Sequence, residues 1–206
     1  MPRSLTDIFH DNPVDFMTNN IVITPEAGGA LENGGVKYFT LTEMASVGKS
    51  IERPGVDIKC YQAHPTADAS GNGMFLTYWC PYKEGELKTT TVGNGANLMF
   101  TAPMNGCSFG IGSAGPDGNR LVGHSNAKGQ PDSWTLQNKV LKVTKMNDGM
   151  VNPNTYMNIA GNDPVLVTTF GVRDASSKEW SFYYQLNTMA TGNTLGKTLI
   201  GVYPIL

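Results

Sequence analysis

Short apolar runs follow one another along most of the chain, and turn-forming segments rich in Gly, Asn and Pro separate them. The runs are enriched in Val, Ile, Thr and aromatic residues, a composition typical of β-strands. The pattern therefore predicts a chain made mainly of strands. The predicted strands are NNIVIT, VKYFTL, VDIKCYQA, MFLTYWC, ELKTTTV, ANLMFTAP, GCSFGIG, NRLVGHS, PVLVTTFGVRD, EWSFYYQLNTM and TLIGVYPIL.

Two segments have the spacing of helices. Near the N-terminus Ser4 is a candidate cap, and the side chains that follow it share one face: Leu5, Ile8 and Phe9. The second segment is PDSWTLQNKVLKVTKMNDG, with Asp132 or Ser133 as cap and Gly149 as a possible end. Its predicted buried face has the spacing i, i+4, i+7: Leu136, Val140 and Val143. The part NKVLKVT also suits a strand.

These elements predict an α+β fold. We expect a β-sandwich-like core of two mostly antiparallel or mixed sheets, with a few helices at the periphery. A length of 206 residues without repeats or linkers predicts one catalytic domain covering residues 1–206. The 24 glycines and 12 prolines of the chain favour many turns over a helical bundle.

Composition narrows the classes of partner and compartment. The charged fraction is 16% and the net charge is −2, so no basic surface is expected for nucleic acid or membrane. Three widely spaced cysteines, Cys60, Cys80 and Cys107, form neither a disulfide framework nor a zinc motif. Reduced thiols and a reducing compartment are the default. The N-terminal residues lack the apolar core of a signal peptide, so export is expected by a route other than Sec.

The stretch FTAPMNGCSFGIG, residues 100–112, contains the candidate nucleophile Cys107. Gly106 before it permits a sharp turn and close approach of a substrate. A nearby histidine would activate the thiol, and His124 lies in the next predicted strand. A hairpin turn centred near residues 115 to 117 pairs Cys107 with a partner near His124, because paired positions in an antiparallel hairpin are equidistant from its turn.

A third group should orient the imidazole. Thr101 is a candidate if the chain doubles back at residues 103–105, and Asn105 or Asn126 could serve instead. The alternative interpretation is structural, since a cysteine in an apolar strand is often only a small core residue. Cys60 and Cys80 fit that interpretation, beside Tyr61 and Trp79. His10 and His64, which have no partner pattern, are interpreted as surface or loop residues.

Thr101, Cys107 and His124 together resemble the site of the thiol glutamine deamidase superfamily. That group includes the cytotoxic necrotizing factors, the chemotaxis receptor deamidases and a lethal factor of Burkholderia. MNGC at residues 104–107 is similar to the family motif LSGC, with Asn105 where the family has serine. CPYKEGELKT and MFTAPMNGC resemble PWKQGELQT and FTYYLSGC of the Burkholderia factor. FGVRDASSKEWSFYYQ resembles C-terminal strands of the necrotizing factors. The first two matches cover roughly residues 75–125.

The resemblance implies a bacterial toxin or effector that hydrolyses one glutamine side chain of a host protein to glutamate. Cys107 would be the nucleophile, His124 the base and Thr101 the group that holds the ring. Gly106 and Asn105 would support an oxyanion site. The reaction would need no metal or cofactor, and a primary amine could replace water. The implied targets are a host translation-initiation helicase or a Rho-family GTPase, reached in the target-cell cytosol by a monomer made in the bacterial cytoplasm.

Target choice would depend on loops near the site. The candidate segments are HPTADASGNG, GKSIERPG and NPNTYMNIAGND. Two other functions stay open at this stage: a non-catalytic β-sandwich binding module, and a thiol amidase or transglutaminase with another substrate.

Overall fold

The structure is a computed structural model that describes residues 4–67, 73–161, 163–189 and 196–206. Its helices are α1 (Leu5–Asp11), α2 (Pro13–Asn19), α3 (Ser133–Val143) and α4 (Pro153–Ala160). Its strands are β1 (Ile21–Ile23), β2 (Gly35–Ser50), β3 (Asp57–Thr66), β4 (Met74–Cys80), β5 (Leu87–Val92), β6 (Leu98–Thr101), β7 (Ser108–Ile111), β8 (Arg120–Ser125), β9 (Gly149–Val151), β10 (Val165–Arg173), β11 (Trp180–Met189) and β12 (Lys197–Pro204).

Eight strands form the large sheet, in the order β1-β3-β2-β12-β11-β10-β6-β4. The pairs β1–β3, β12–β2 and β4–β6 are parallel, and the remaining pairs are antiparallel. Strand β2 is long enough to pair with β12 at one end and with β4 at the other. The strands from β2 through β12, β11, β10, β6 and β4 therefore close into a ring.

The small sheet is antiparallel, in the order β5-β8-β7-β9. A core of apolar side chains lies between it and the large sheet, including Met99, Phe109, Val122 and Phe182. A second core, rich in aromatic residues, packs α1 and α2 against the large sheet. The α+β class with two sheets and peripheral helices is thus confirmed.

The helices show where sequence pattern suffices and where it does not. α1 begins as predicted, because Ser4 and Asp7 form a reciprocal capping box. α3 is a helix and not a strand, but its predicted buried face is wrong. Leu136 and Val143 are exposed, and Gln137 and Leu141 are buried instead. α3 ends at Val143, well before the predicted end at Gly149.

Several elements differ in length from their predictions. β2 runs on to Ser50, so much of GKSIERPG lies in this strand or the turn after it. α2, α4 and β9 were not predicted. In HPTADASGNG the first three residues belong to β3, and residues 68–72 lie outside the described part, as does residue 162 of NPNTYMNIAGND. Among the described helices none has the length and apolarity needed to cross a membrane.

Candidate active site

The β7–β8 hairpin sets the distance between Cys107 and His124. Its register pairs Ser108 with Ser125 and Phe109 with His124. Cys107 directly precedes β7, one residue beyond the last paired position, and its sulfur contacts Asn126, two residues from the predicted partner. A shift of two residues keeps the same face of the sheet. Cys107 and His124 are consequently diagonal neighbours on one face of the hairpin.

Thr101 fixes the imidazole of His124. The Thr101 hydroxyl donates to the Cys80 carbonyl at 2.8 Å and lies 2.7 Å from Nδ1 of His124. Since the one hydroxyl proton goes to the carbonyl, Nδ1 must carry the proton of the second bond. The neutral ring is therefore the Nδ1–H tautomer, and Nε2 has a bare lone pair. The predicted proximity of Thr101 and His124 is confirmed.

Nε2 of His124 is the ring nitrogen that Thr101 does not contact. It is buried and has no hydrogen-bond partner among the described residues. His124 is fully buried, and this burial lowers its pKa to about 3. The Tyr82 ring packs against the imidazole with a centroid separation of 5.0 Å. His124 is thus a neutral base kept from solvent.

The Cys107 thiol is also nearly covered, with 4% of the residue exposed. Its sulfur accepts a hydrogen bond from Nδ2 of Asn126 at 3.1 Å. Burial raises the pKa of this thiol above its usual range, while Asn126 and the Asn105 backbone N–H partly offset that rise. At neutral pH the resting pair is therefore a thiol and a neutral imidazole, not an ion pair.

Two helices hold the chain on either side of Cys107. Gly106 has φ +91°, a conformation that favours glycine. Its N–H donates to Oη of Tyr156 on α4, and Oη in turn donates to the Cys107 carbonyl. Gln137 on α3 donates from Nε2 to the Gly106 carbonyl at 3.0 Å. The loop is thereby fixed from both sides.

These contacts revise the expected supporting roles. The Gly106 N–H already bonds Tyr156, and the backbone N–H that lies against the sulfur is that of Asn105. The Asn105 side chain is exposed, and only its backbone lies against the thiol. The supporting roles of Tyr156 and Gln137 were missed. The Asn-Pro pair before Tyr156 signals a helix start and could have revealed α4, because Asn152 caps it and Pro153 is its first residue.

Residues 81–86, which we term the cover loop, connect β4 to β5 and lie over the site. Tyr82 contacts the ring of His124, as described above. Gly85 donates its N–H to Oδ1 of Asn126, and the Asn126 N–H donates to the Glu86 carbonyl at 3.1 Å. An exposed ion pair between Glu84 and Lys128 adds little stability. The cover loop therefore separates the thiol and imidazole from solvent.

The other candidate residues are placed elsewhere. Cys60 and Cys80 are fully buried free thiols, as expected for core residues, and burial raises the pKa of both, that of Cys80 to about 12. His10 is exposed at the end of α1, and His64 is half-buried in β3. In the described part of the chain no group of His, Cys, Asp and Glu side chains has the arrangement of a metal site.

Comparison with known proteins adds no assignment. No model of a known protein family matches the chain, and no curated protein is significantly similar to it. The chemistry of the site must therefore be inferred from its own residues.

Proposed function

We propose that the protein is a cysteine-dependent glutamine deamidase that acts on another protein. The observation that carries the proposal is the hydrogen bond between Thr101 and Nδ1 of His124, which leaves Nε2 bare on the face shared with Cys107. A buried histidine with a purely structural role normally has both nitrogens satisfied. An unpartnered acceptor beside a thiol is what a general base requires.

The first step would be attack on the side-chain amide. Nε2 takes the Cys107 proton, and the resulting thiolate attacks the carboxamide carbon. This needs the sulfur and Nε2 to reach about 3 Å, a contact that often tightens only with substrate bound. The imidazolium then gives its proton to the departing ammonia, and a thioester remains. Thr101 keeps Nδ1–H pointed away from the reacting atoms throughout.

The second step would be hydrolysis of the thioester. Nε2 accepts a proton from water, the hydroxide adds to the thioester carbon, and the thiol is regenerated as the C–S bond breaks. The product is glutamate, which carries a negative charge and has lost both amide donors. A host translation-initiation helicase or a Rho-family GTPase is the candidate target, and a toxin or effector is the corresponding biological role.

Mass spectrometry of host lysates tests this function. Lysate is incubated with wild type, with Cys107→Ala and with Cys60→Ala, and peptides converted from Gln to Glu are mapped. Cys60→Ala is the matched control, since it removes another buried free thiol in a separate core cluster. A peptide converted by wild type and Cys60→Ala but not by Cys107→Ala identifies the target. Equal conversion by all three variants, or none in lysates of several hosts, refutes the proposal.

A second candidate is a non-catalytic binding module, and burial favours it. Cys107 is only 4% exposed, and Nε2 has no partner among the described residues, so the thiol and the ring do not bond one another. Alkylation distinguishes the two functions. A nucleophilic Cys107 should react with iodoacetamide at neutral pH much faster than Cys60 or Cys80. Equal, slow labelling of all three supports the module.

A further inference from the structure

The side-chain amide of Asn126 has only one possible orientation. Its Oδ1 accepts two backbone N–H groups, from Gly85 at 3.0 Å and from Lys128 at 2.9 Å. Exchanging the oxygen and nitrogen of the amide would put NH₂ against both donors. The NH₂ group must therefore point at Cys107, where Nδ2 lies 3.1 Å from the sulfur.

The sequence offered Asn126 as one of several groups that could orient the imidazole. That position is occupied by Thr101, which is the only described side chain that bonds Nδ1 of His124. Asn126 instead contacts the reacting atom itself. It is 8% exposed, so its bond to sulfur lies mostly out of water, where a donor to a charged acceptor is most effective.

We propose that Asn126 is a catalytic residue, whose Nδ2 stabilises first the Cys107 thiolate and then the oxyanion of the adduct. The proposal rests on the deamidase function for its second part. When the C–S bond forms, the negative charge moves from sulfur to the amide oxygen, which lies two bonds away through the attacked carbon. One N–H of Nδ2 contacts the sulfur, and the other has no partner among the described residues and can meet that oxygen.

The test uses Asn126→Asp in the full chain. Aspartate keeps the oxygen that accepts from Gly85 and Lys128, but replaces the donor to sulfur with an anionic oxygen. Alkylation of Cys107 by iodoacetamide is followed by mass spectrometry across pH. We expect the reaction at neutral pH to slow by about tenfold or more, and its pH profile to move to higher pH. Asn12→Asp is the matched control. Oδ1 of Asn12 likewise accepts a backbone N–H, at the start of α2, and the substitution adds the same negative charge.

An unchanged alkylation profile in folded Asn126→Asp overturns the role in stabilising the thiolate. Deamidation of the mapped peptide at the wild-type rate overturns the role at the oxyanion. Alkylation requires no glutamine substrate. A wild type that fails to deamidate while Asn126→Asp still slows alkylation therefore refutes the deamidase function and supports the contact with the thiolate.

A measurement on wild type covers the case in which the variant fails to fold. The Nδ2 protons of Asn126 should shift in ¹H–¹⁵N spectra with the same midpoint as the ionisation of Cys107. Signals that stay fixed through that ionisation refute the proposal.

Discussion

Acidification should destabilise the fold through His124. Burial holds the pKa of the folded imidazole at about 3, whereas an unfolded histidine has its ordinary value of 6.5. Between these values the unfolded chain binds a proton that the folded chain refuses, so the free energy of unfolding falls as the pH falls. This histidine leaves the free energy of unfolding unchanged above pH 6.5 and lowers it progressively between pH 6.5 and about pH 3.

The size of the effect follows from this one group. One proton of difference changes the free energy of unfolding by about 1.4 kcal/mol per pH unit. From about pH 6 to about pH 4 the loss is therefore about 3 kcal/mol, a large part of the stability of a typical domain. Two exposed carboxylates with lowered pKa values, Glu86 and Asp174, also contribute to the pH dependence of stability. They are present in every variant compared, so their contribution cancels in the comparison.

Urea unfolding followed by tryptophan fluorescence measures the slope. Wild type is compared at several pH values with His124→Gln and with His64→Gln, a control at a half-buried histidine outside the site. We expect His124→Gln to lose about 1.4 kcal/mol per pH unit of pH dependence, and His64→Gln shows how much of any change comes from replacing a histidine elsewhere. A His124→Gln variant with the wild-type slope would refute the view that this imidazole is buried and neutral.

Three further outcomes test the site. Thr101→Val should lower the free energy of unfolding by about 2–4 kcal/mol in urea melts, because it leaves the Cys80 carbonyl and the ring N–H of His124 buried without partners; a loss below 0.5 kcal/mol, the usual effect of a surface change, would contradict this. Tyr82→Ala should admit water to the imidazole and raise its pKa, seen as a shallower acid slope, and should speed alkylation of Cys107; unchanged values for both would show that the ring covers neither group. Gly106→Ala should cost about 1–2 kcal/mol through backbone strain alone, since open space surrounds its added Cβ; a neutral substitution in urea melts would mean that φ +91° is not needed there.

Local patterns predicted most of the strands, because strand signals are local. Alternation in EWSFYYQLNTM sets the faces of β11, and the Asp-Ala-Ser-Ser-Lys turn joins it to β10. The order of the large sheet was out of reach. Its parallel pairs β1–β3, β12–β2 and β4–β6 join segments distant in sequence, and no local signal specifies such partners.

The site was likewise predictable from sequence only where neighbouring segments form it. Hairpin spacing brought Cys107 and His124 together, and Thr101, six residues upstream, was one of three groups offered beside the ring until the resemblance to the deamidases selected it. The partner of Cys107 was displaced by two residues because the observed register centres the turn between residues 116 and 117, one residue later than the centre that would pair Cys107 with His124. The contact of Asn126 with sulfur depends on that register and on the cover loop, so sequence spacing could not assign it.

The buried face of α3 illustrates a different obstacle. Apolar periodicity favoured Leu136, Val140 and Val143, yet Gln137 points inward because its amide bonds the Gly106 carbonyl. A polar side chain that serves the site displaces the apolar stripe, and hydrophobic pattern alone then selects the wrong face.

The hydroxyl of Thr101 connects the large sheet to the small sheet. Its carbonyl partner lies at the end of β4 in the large sheet, and its imidazole partner lies on β8 in the small sheet. A hairpin cut out as residues 104–126 would keep the thiol and the ring, but the ring would revert to a mixture of tautomers. The ¹⁵N signals of the His124 ring therefore report when the two sheets pack together during folding. A single Nδ1–H tautomer can appear only after that step.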